Sequence, residues 1–151
     1  DPEAPVAVAI SPDGNRAYII ENDEDTSTGS FSVINTLTNT VVTSIPLTGT
    51  PISIAVTPDG SAAYLTDSTG ARVISINLAN PDAPVAGTLV ALPGTTPFDI
   101  AITPNGLTAY VTDTTNNSVI PINITTGTAG TPIPVGVIPS AIAITSDGSR
   151  A

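Results

Sequence analysis

The feature that most constrains the fold is a short motif that recurs along the chain. Its three complete copies read VAISPDGNRAYIIE at 8–21, IAVTPDGSAAYLTD at 54–67 and IAITPNGLTAYVTD at 100–113, and a fourth copy, IAITSDGSRA, begins at 142. Each copy has a proline nine residues before its turn glycine, and the spacing between these prolines is 46, 46 and 42 residues. They are Pro5, Pro51, Pro97 and Pro139. All three tyrosines of the chain occupy one repeat position, so the chain is a tandem array.

The pattern within each copy predicts four β-strands. Large and small side chains alternate strictly along PISIAVT at 51–57, and this alternation is typical of a strand. The PDG or PNG that follows predicts a tight turn, because proline presets φ and glycine accepts positive φ. A second strand at 63–66 and a third at 72–77 follow. The fourth, at 40–45 in the first copy, contains two prolines at 130–135 in the third, so we expect it at the outer edge of its sheet.

Composition supports an all-β protein, because Val, Ile and Thr stand beside many turn-forming residues. A four-stranded unit of roughly 40–50 residues repeated in tandem is typical of β-propeller blades. The sequence therefore predicts an all-β fold of four-stranded antiparallel blades in one partial domain, 1–151. Its repeats are 5–50, 51–96 and 97–138, and 139–151 supplies the inner strand of a fourth blade.

The quoted motifs also resemble a known family. PISIAVTPDGSAAYLTD and PFDIAITPNGLTAYVTD, with SVINTLTNTVVTSIPLTGTP, are similar to the YVTN β-propeller repeat. Glu21, Asp67 and Asp113 stand where that repeat has its name-giving asparagine. The resemblance implies a secreted or cell-surface protein, with surface-layer and adhesion modules among its relatives. The fold it implies also resembles that of lactonase-type enzyme propellers.

The number of repeats raises the question of what completes the ring. A closed propeller generally takes four to eight blades, and this chain supplies three and one further strand. One explanation is that the chain is a segment of a longer propeller. Another is self-assembly into a six-bladed ring or a head-to-tail filament, with the surplus strand 139–150 completing a neighbour. The third is a stable open monomer. The expected partners are therefore further blades, from the same polypeptide or from other copies.

The charge balance and the absence of certain residue types exclude several classes of function. Thirteen acids against three arginines, and a net charge of −10, disfavour nucleic acid as a partner. No apolar run approaches the length of a membrane span, about 18 residues, and the lack of lysine favours an extracellular or cell-surface location. Without His or Cys, most nucleophilic triads and zinc sites are excluded. We therefore expect a structural or interaction module and not an enzyme; the alternative is a fragment of a lactonase or sugar-hydrolase propeller whose active site lies on the ring axis.

A few residues are candidates for binding. The acidic loop with Glu21, Asp23 and Asp25 offers closely spaced oxygen ligands and predicts a Ca²⁺ site, against the alternative of a solvated loop. Asp99 stands where the other copies have Ala or Ser, and we expect it at the axis or in a seam between blades. Asn116 and Asn123 begin N-glycan acceptor triplets. No other cofactor is expected.

The remaining repeated acids have a structural interpretation. Asp13, Asp59 and Asp147 lie in the repeat turn, where a carboxylate can accept hydrogen bonds from the backbone of the turn itself. Asp67 and Asp113 end the second strand, where we expect them to cap the following loop.

Overall fold

The structure, a computed structural model, describes residues 4–23 and 26–151. Within these ranges it contains thirteen β-strands and no helix. The strands are β1 (Ala4–Ile10), β2 (Arg16–Asp23), β3 (Thr28–Asn35), β4 (Thr40–Thr48), β5 (Pro51–Val56), β6 (Ala62–Asp67), β7 (Arg72–Asn77), β8 (Val85–Ala91), β9 (Pro97–Ile102), β10 (Thr108–Asp113), β11 (Ser118–Asn123), β12 (Thr128–Ala129) and β13 (Ile133–Pro134).

These strands form three separate antiparallel sheets in chain order. We name them blade 1 (β1–β4), blade 2 (β5–β8) and blade 3 (β9–β13). The first strands, β1, β5 and β9, lie beside one another at the inner edge, and β4 and β8 form outer edges. This arrangement confirms the predicted all-β fold of propeller blades, with the ring open.

The outer edge of blade 3 differs from those of the other blades. Two short strands, β12 and β13, pair with β11 in place of one continuous fourth strand. Pro132 and Pro134 lie in this stretch, and proline has no N–H to donate to a ladder. The predicted outermost position of the fourth strand is confirmed, and its prolines explain why it is interrupted here.

The turns after the inner strands stack on one another between blades. Their glycines have positive φ, from 71° to 75°, as the PDG and PNG sequences predict. A Cβ added to Gly60 would lie 3.4 Å from Cδ of Pro12 in the preceding turn. The same added atom at Gly106 would lie 3.5 Å from Cδ of Pro58. Each turn is therefore packed against the turn before it.

The core lies in the seams between blades. The first seam joins blade 1, including the stacked rings of Tyr18 and Phe31 with centroids 5.5 Å apart, to Leu65 and Ile76 of blade 2. The second seam joins Tyr64 and Val73 of blade 2 to a group on blade 3. That group is Ile100, Ala109, Val111, Ile120 and Ile122. Each blade thus buries one face against each neighbour, because its strands are apolar on both sides.

The fourth copy forms its turn but no ladder. The Thr145 N–H donates to the Arg150 carbonyl over 3.0 Å, as the Thr57 N–H does to that of Ala62 over 2.9 Å. Residues 139–144 pair with no strand in the described part of the chain. Arg150 and Ala151 hold the repeat positions of Ala62 and Ala63, which begin β6 in blade 2, and residues 139–144 lie in the position of an inner strand without a ladder.

Candidate interaction surface

Asp67, at the end of β6, holds the connection between blades 1 and 2. Its side chain is fully buried, and its Oδ1 accepts hydrogen bonds from the backbone N–H groups of Thr50 and Gly70, both at 3.0 Å. Its Oδ2 pairs with Nε of Arg72 at 2.7 Å. Arg72 also donates to the Thr48 carbonyl at 2.8 Å. The acid therefore fixes the segment that leads from β4 to β5.

Asp113 does the same between blades 2 and 3. Its Oδ1 accepts from the Thr96 N–H at 3.0 Å, and its Oδ2 accepts from Nδ2 of Asn116 at 2.6 Å. Burial raises the pKa of Asp113, but the hydrogen bonds from Thr96 and Asn116 outweigh it and leave the pKa below its usual value. These two acids hold the connection that precedes their blade, in addition to the loop that follows them.

Glu21 occupies the same repeat position but has different partners. Its Oε2 accepts from the hydroxyls of Ser30 at 2.6 Å and Ser32 at 2.8 Å, both on the adjacent β3. Asp23 accepts from the Thr26 N–H at 3.3 Å. Asp25 lies outside the described residues, and residues 4–23 and 26–151 contain no group of three acids placed to hold a metal. The Ca²⁺ site therefore stays a prediction.

Asp99 bridges three successive inner strands. Its Oδ1 accepts from the Ser53 hydroxyl of β5 at 2.6 Å, and its Oδ2 accepts from the Ile142 N–H of the fourth copy at 2.8 Å. Its own N–H donates to Oγ1 of Thr112 at 2.9 Å. The side chain thus lies where inner strands meet, and both carboxylate oxygens have protein partners.

The two asparagines of the glycan triplets have different surroundings. Nδ2 of Asn116 donates to Asp113 and, at 2.9 Å, to the Gly94 carbonyl. Asn123 is exposed, and its Oδ1 accepts from the Thr126 N–H at 3.0 Å. Glycosylation at either position stays a prediction.

The turn acids bond within their own turns. Asp59 accepts from the Thr57 hydroxyl at 2.6 Å and from the Ser61 N–H at 3.0 Å. Hydrogen bonds of this kind, chiefly from the hydroxyl, lower the pKa of Asp13, Asp59 and Asp147 to about 2. The carboxylates of these turns therefore organise the chain locally.

Both ends of the blade array leave apolar surface exposed. On blade 1, Val8 is 61% and Ile10 55% exposed, whereas their counterparts Ile54 and Val56 pack into the first seam. On blade 3 a groove of about 350 Å³ lies between the sheet and the fourth copy. Its lining includes Tyr110, Val119, Ile133, Val135 and Ala143.

Two contacts between elements were not predicted from the sequence. The Asp99–Ile142 hydrogen bond depends on which face of β9 adjoins the next inner strand, and the repeat alone does not give that. The Arg16–Asp82 ion pair, 2.7 Å long, joins β2 to the connection at 78–84 between β7 and β8. The sequence signal at this place is length, because the interval from Asn77 to Pro97 is four residues longer than the matching intervals of the other repeats.

Comparison by sequence identifies no family for this chain. The scan against protein-family models gave no match, and the search of curated proteins gave no significant one. Because neither comparison matches, the YVTN assignment stays a resemblance.

The described part of the chain has no helix that could span a membrane.

Several solved structures are similar. A functionally unknown protein from Desulfotomaculum acetoxidans matches 96% of this chain with a TM-score of 0.85 at 22% identity. Kuenenia stuttgartiensis hydrazine synthase matches 96% with a TM-score of 0.82 at 24%. A protein of Bacteroides fragilis, provisionally assigned as a 6-phosphogluconolactonase, matches 97% with a TM-score of 0.76 at 20%. This chain spans 47%, 40% and 46% of theirs, less than half in each case. Together with a Myceliophthora β-propeller domain matched at a TM-score of 0.76, these likenesses show that the chain has a β-propeller fold.

Proposed function

We propose that the chain is an extracellular structural or interaction module, of the surface-layer, adhesion or filament type, built from propeller blades. The observation that carries this proposal is the pair of open blade faces. Each has the side-chain types that fill the internal seams, and such apolar surface favours contact with further protein.

The chemistry of the described acids supports the same proposal. Asp67 and Asp113 hold connections between blades, Asp99 joins inner strands, and Asp59 organises a turn. A catalytic carboxylate needs access to a substrate and convergent partners. These carboxylates are instead engaged by neighbouring backbone and hydroxyl groups.

Location is the part of this proposal that can be tested most directly. The lack of lysine favours export, so we expect antibodies against the protein to label intact cells that produce it. A cytoplasmic protein detected in the same cells only after permeabilisation is the control. Labelling of this protein that also requires permeabilisation contradicts the proposal.

An enzyme of the lactonase type is the second candidate. It is favoured by the fold similarity to the Bacteroides fragilis structure, and Asp99 is the acid that the sequence predicts at the axis or in a seam between blades. Hydrolysis of 6-phosphogluconolactone above its spontaneous rate, lost in Asp99→Asn and kept in Asp147→Asn, supports it. A rate equal to the spontaneous one with the complete protein removes it.

A further inference from the structure

A cavity opens in the first seam, on the side where the repeat turns stack. Its volume is about 340 Å³, within the range of roughly 300–1,000 Å³ that small-molecule sites occupy. Its lining includes Asp13 and Arg16 from the β1–β2 hairpin and Asp59 from the β5–β6 hairpin. Leu78 and Pro81, in the connection between β7 and β8, add apolar surface. Blades 1 and 2 are both complete four-stranded sheets, so the cavity does not depend on the open ends of the array.

Tyr18 brings a hydroxyl without a partner into this cavity. The residue lines the cavity although it is only 1% exposed, and its ring stacks on Phe31 in the core. Its hydroxyl forms no hydrogen bond with any residue that the structure describes. Burial and the nearby Asp13 raise the pKa of Tyr18, so the hydroxyl stays protonated and can donate. Because buried polar groups are nearly always hydrogen-bonded in folded proteins, this free hydroxyl points to a polar occupant of the cavity.

Arg16 is fixed by an ion pair and retains further donors. Its Nε and Nη2 donate to the two carboxylate oxygens of Asp82, at 2.7 and 3.1 Å, and its Nη1 donates to the Asn15 carbonyl at 2.9 Å. A guanidinium carries five N–H groups, so two of those on Arg16 have no partner in the described part of the chain. The bidentate pair with Asp82 orients the guanidinium, and its remaining N–H groups are available to a bound molecule.

The turn acids supply acceptors. Oδ2 of Asp13 accepts from Nδ2 of Asn15 at 2.8 Å, and Oδ2 of Asp59 accepts from the Ser61 hydroxyl at 2.9 Å. A carboxylate oxygen can accept about two hydrogen bonds, so each of these oxygens has room for one more. Hydrogen bonds within the turns lower the pKa of both acids to about 2, and both are therefore ionised at neutral pH.

This lining favours a neutral sugar residue. Free donors and acceptors lie together, and a hydroxyl group can satisfy both because it donates and accepts. Leu78 and Pro81 offer apolar surface to the C–H groups of a sugar ring. An anion such as phosphate would meet the carboxylates of both turns and of Asp82 against a single guanidinium. A metal ion would meet that guanidinium, and the described residues contain no group of three acids placed to hold it.

The second seam contains the matching cavity without most of these groups. That cavity, of about 520 Å³, is lined by Tyr64 and so retains the tyrosine of the repeat. Ala62 stands there at the position of Arg16, and Asn105 stands at the position of Asp59. The guanidinium and the second acid are therefore particular to the first seam, where the lengthened connection of blade 2 also provides the counter-ion.

We propose that the cavity of the first seam binds one neutral sugar residue through its hydroxyl groups. Tyr18 and Arg16 donate to the sugar oxygens, and the sugar hydroxyls donate in turn to the two turn acids, Asp13 and Asp59. The apolar residues of the connection at 78–84 contact the C–H groups of the ring. This inference goes beyond the proposed function, because it assigns a ligand chemistry to an internal seam and does not depend on the open blade faces.

Two-dimensional ¹H–¹⁵N NMR on the full chain tests the proposal. The methyl glycosides of glucose, galactose, mannose and N-acetylglucosamine are titrated separately to about 20 mM, enough to saturate a site with a millimolar Kd. We expect at least one of them to shift the amide signals of Asn15 and Gly60 saturably. The amide signal of Gly106, in the cavity of the second seam, should stay unchanged. Inorganic phosphate, titrated in the same way, should shift none of these signals.

Variants of the chain connect this binding to the named groups. Arg16→Ala and Asp59→Asn introduce residues that the second seam already has at these positions, so the fold should be retained. Tyr18→Phe removes only the free hydroxyl. Each of the three substitutions should raise the Kd at least about fivefold. Tyr64→Phe makes the matched change in the second seam and should bind as the wild type does, and urea unfolding checks that all four variants are folded.

Four results would overturn the proposal. The first is no saturable shift with any of the four glycosides, and the second is an equal Kd for Tyr18→Phe and the wild type. The third is a shift at Gly106 as large as that at Gly60, because binding would then not require the groups in which the seams differ. The fourth is a saturable shift by inorganic phosphate alone, which would indicate an anion site. A saturable shift by one glycoside that is weakened in Tyr18→Phe and kept in Tyr64→Phe supports the proposal.

Discussion

Asp67 and Asp113 occupy the same repeat position, and each fixes the backbone that enters its blade. The carboxylate accepts from the N–H of Thr50 in one case and of Thr96 in the other, at 3.0 Å each. Position 21 carries the longer glutamate, which is bonded instead to serines of its own sheet. In blades 2 and 3 one side chain thus fixes the connection from the preceding blade.

Removing this carboxylate should destabilise the protein strongly. Asp67→Ala leaves the N–H groups of Thr50 and Gly70 without their acceptor and leaves Arg72 without its counter-ion. We expect the free energy of unfolding in urea to fall by about 3 kcal/mol or more. Asp82→Ala, which breaks an exposed ion pair with Arg16, is the control and should have a much smaller effect. Equal losses would contradict the structural role of Asp67.

The turn acids predict acid sensitivity. The pKa of Asp59 is lowered to about 2 in the fold from 3.8, and the pKa values of Asp13 and Asp147 are lowered likewise. A lowered pKa stabilises the folded state above the unfolded value, and this contribution is lost as the pH falls from about 4 to about 2. We therefore expect the thermal midpoint to decline across that interval.

The third repeat has an asparagine, Asn105, at the turn position of these acids, and it suggests the control for this pH effect. Oδ1 of Asn105 accepts from the Leu107 N–H at 3.0 Å, so an amide can make the backbone bond of the turn without titrating. Asp59→Asn should therefore show a smaller decline in the thermal midpoint between about pH 4 and pH 2 than the wild type. An unchanged or steeper decline would contradict the assignment.

At the scale of strands, the seams carry the stability of the array. Leu65 on β6 is fully buried in the first seam, and Leu37, in the turn between β3 and β4, is 79% exposed. Leu65→Ala should lower the free energy of unfolding by about 2–5 kcal/mol, because it leaves a cavity between two blades. Leu37→Ala should change it by no more than about 0.5 kcal/mol. A small effect at Leu65 would show that the first seam is not packed as described.

The sequence predicted the strands well and their partners less well. Alternation and turn glycines are local signals, so β5, β6 and β7 were placed within a residue or two of their observed bounds. The interruption between β12 and β13 follows from two prolines, but which residues would still pair could not be read from them. The contact of Asp99 with Ile142 depends on the packing of one blade on the next, which a repeat pattern does not encode.

At the scale of the molecule, the array is open at both ends. The described residues form three blades and a fourth copy whose turn packs on blade 3, and the similar solved structures are about twice as long as this chain. Apolar side chains are exposed at Val8 on one face, and others line the groove beside Ala143 on the opposite face. The proposed function follows from this geometry.

The central claim is that successive repeats lie side by side as separate blades. Nuclear Overhauser spectroscopy on the uniformly ¹³C-labelled, protonated chain tests it directly. We expect cross-peaks from the methyl groups of Val33 in blade 1 to those of Leu65 and Ile76 in blade 2. We also expect cross-peaks between the Hα atoms of Gly60 and the Hδ atoms of Pro12. Cross-peaks confined to single repeats, with none between Gly60 and Pro12, would contradict it.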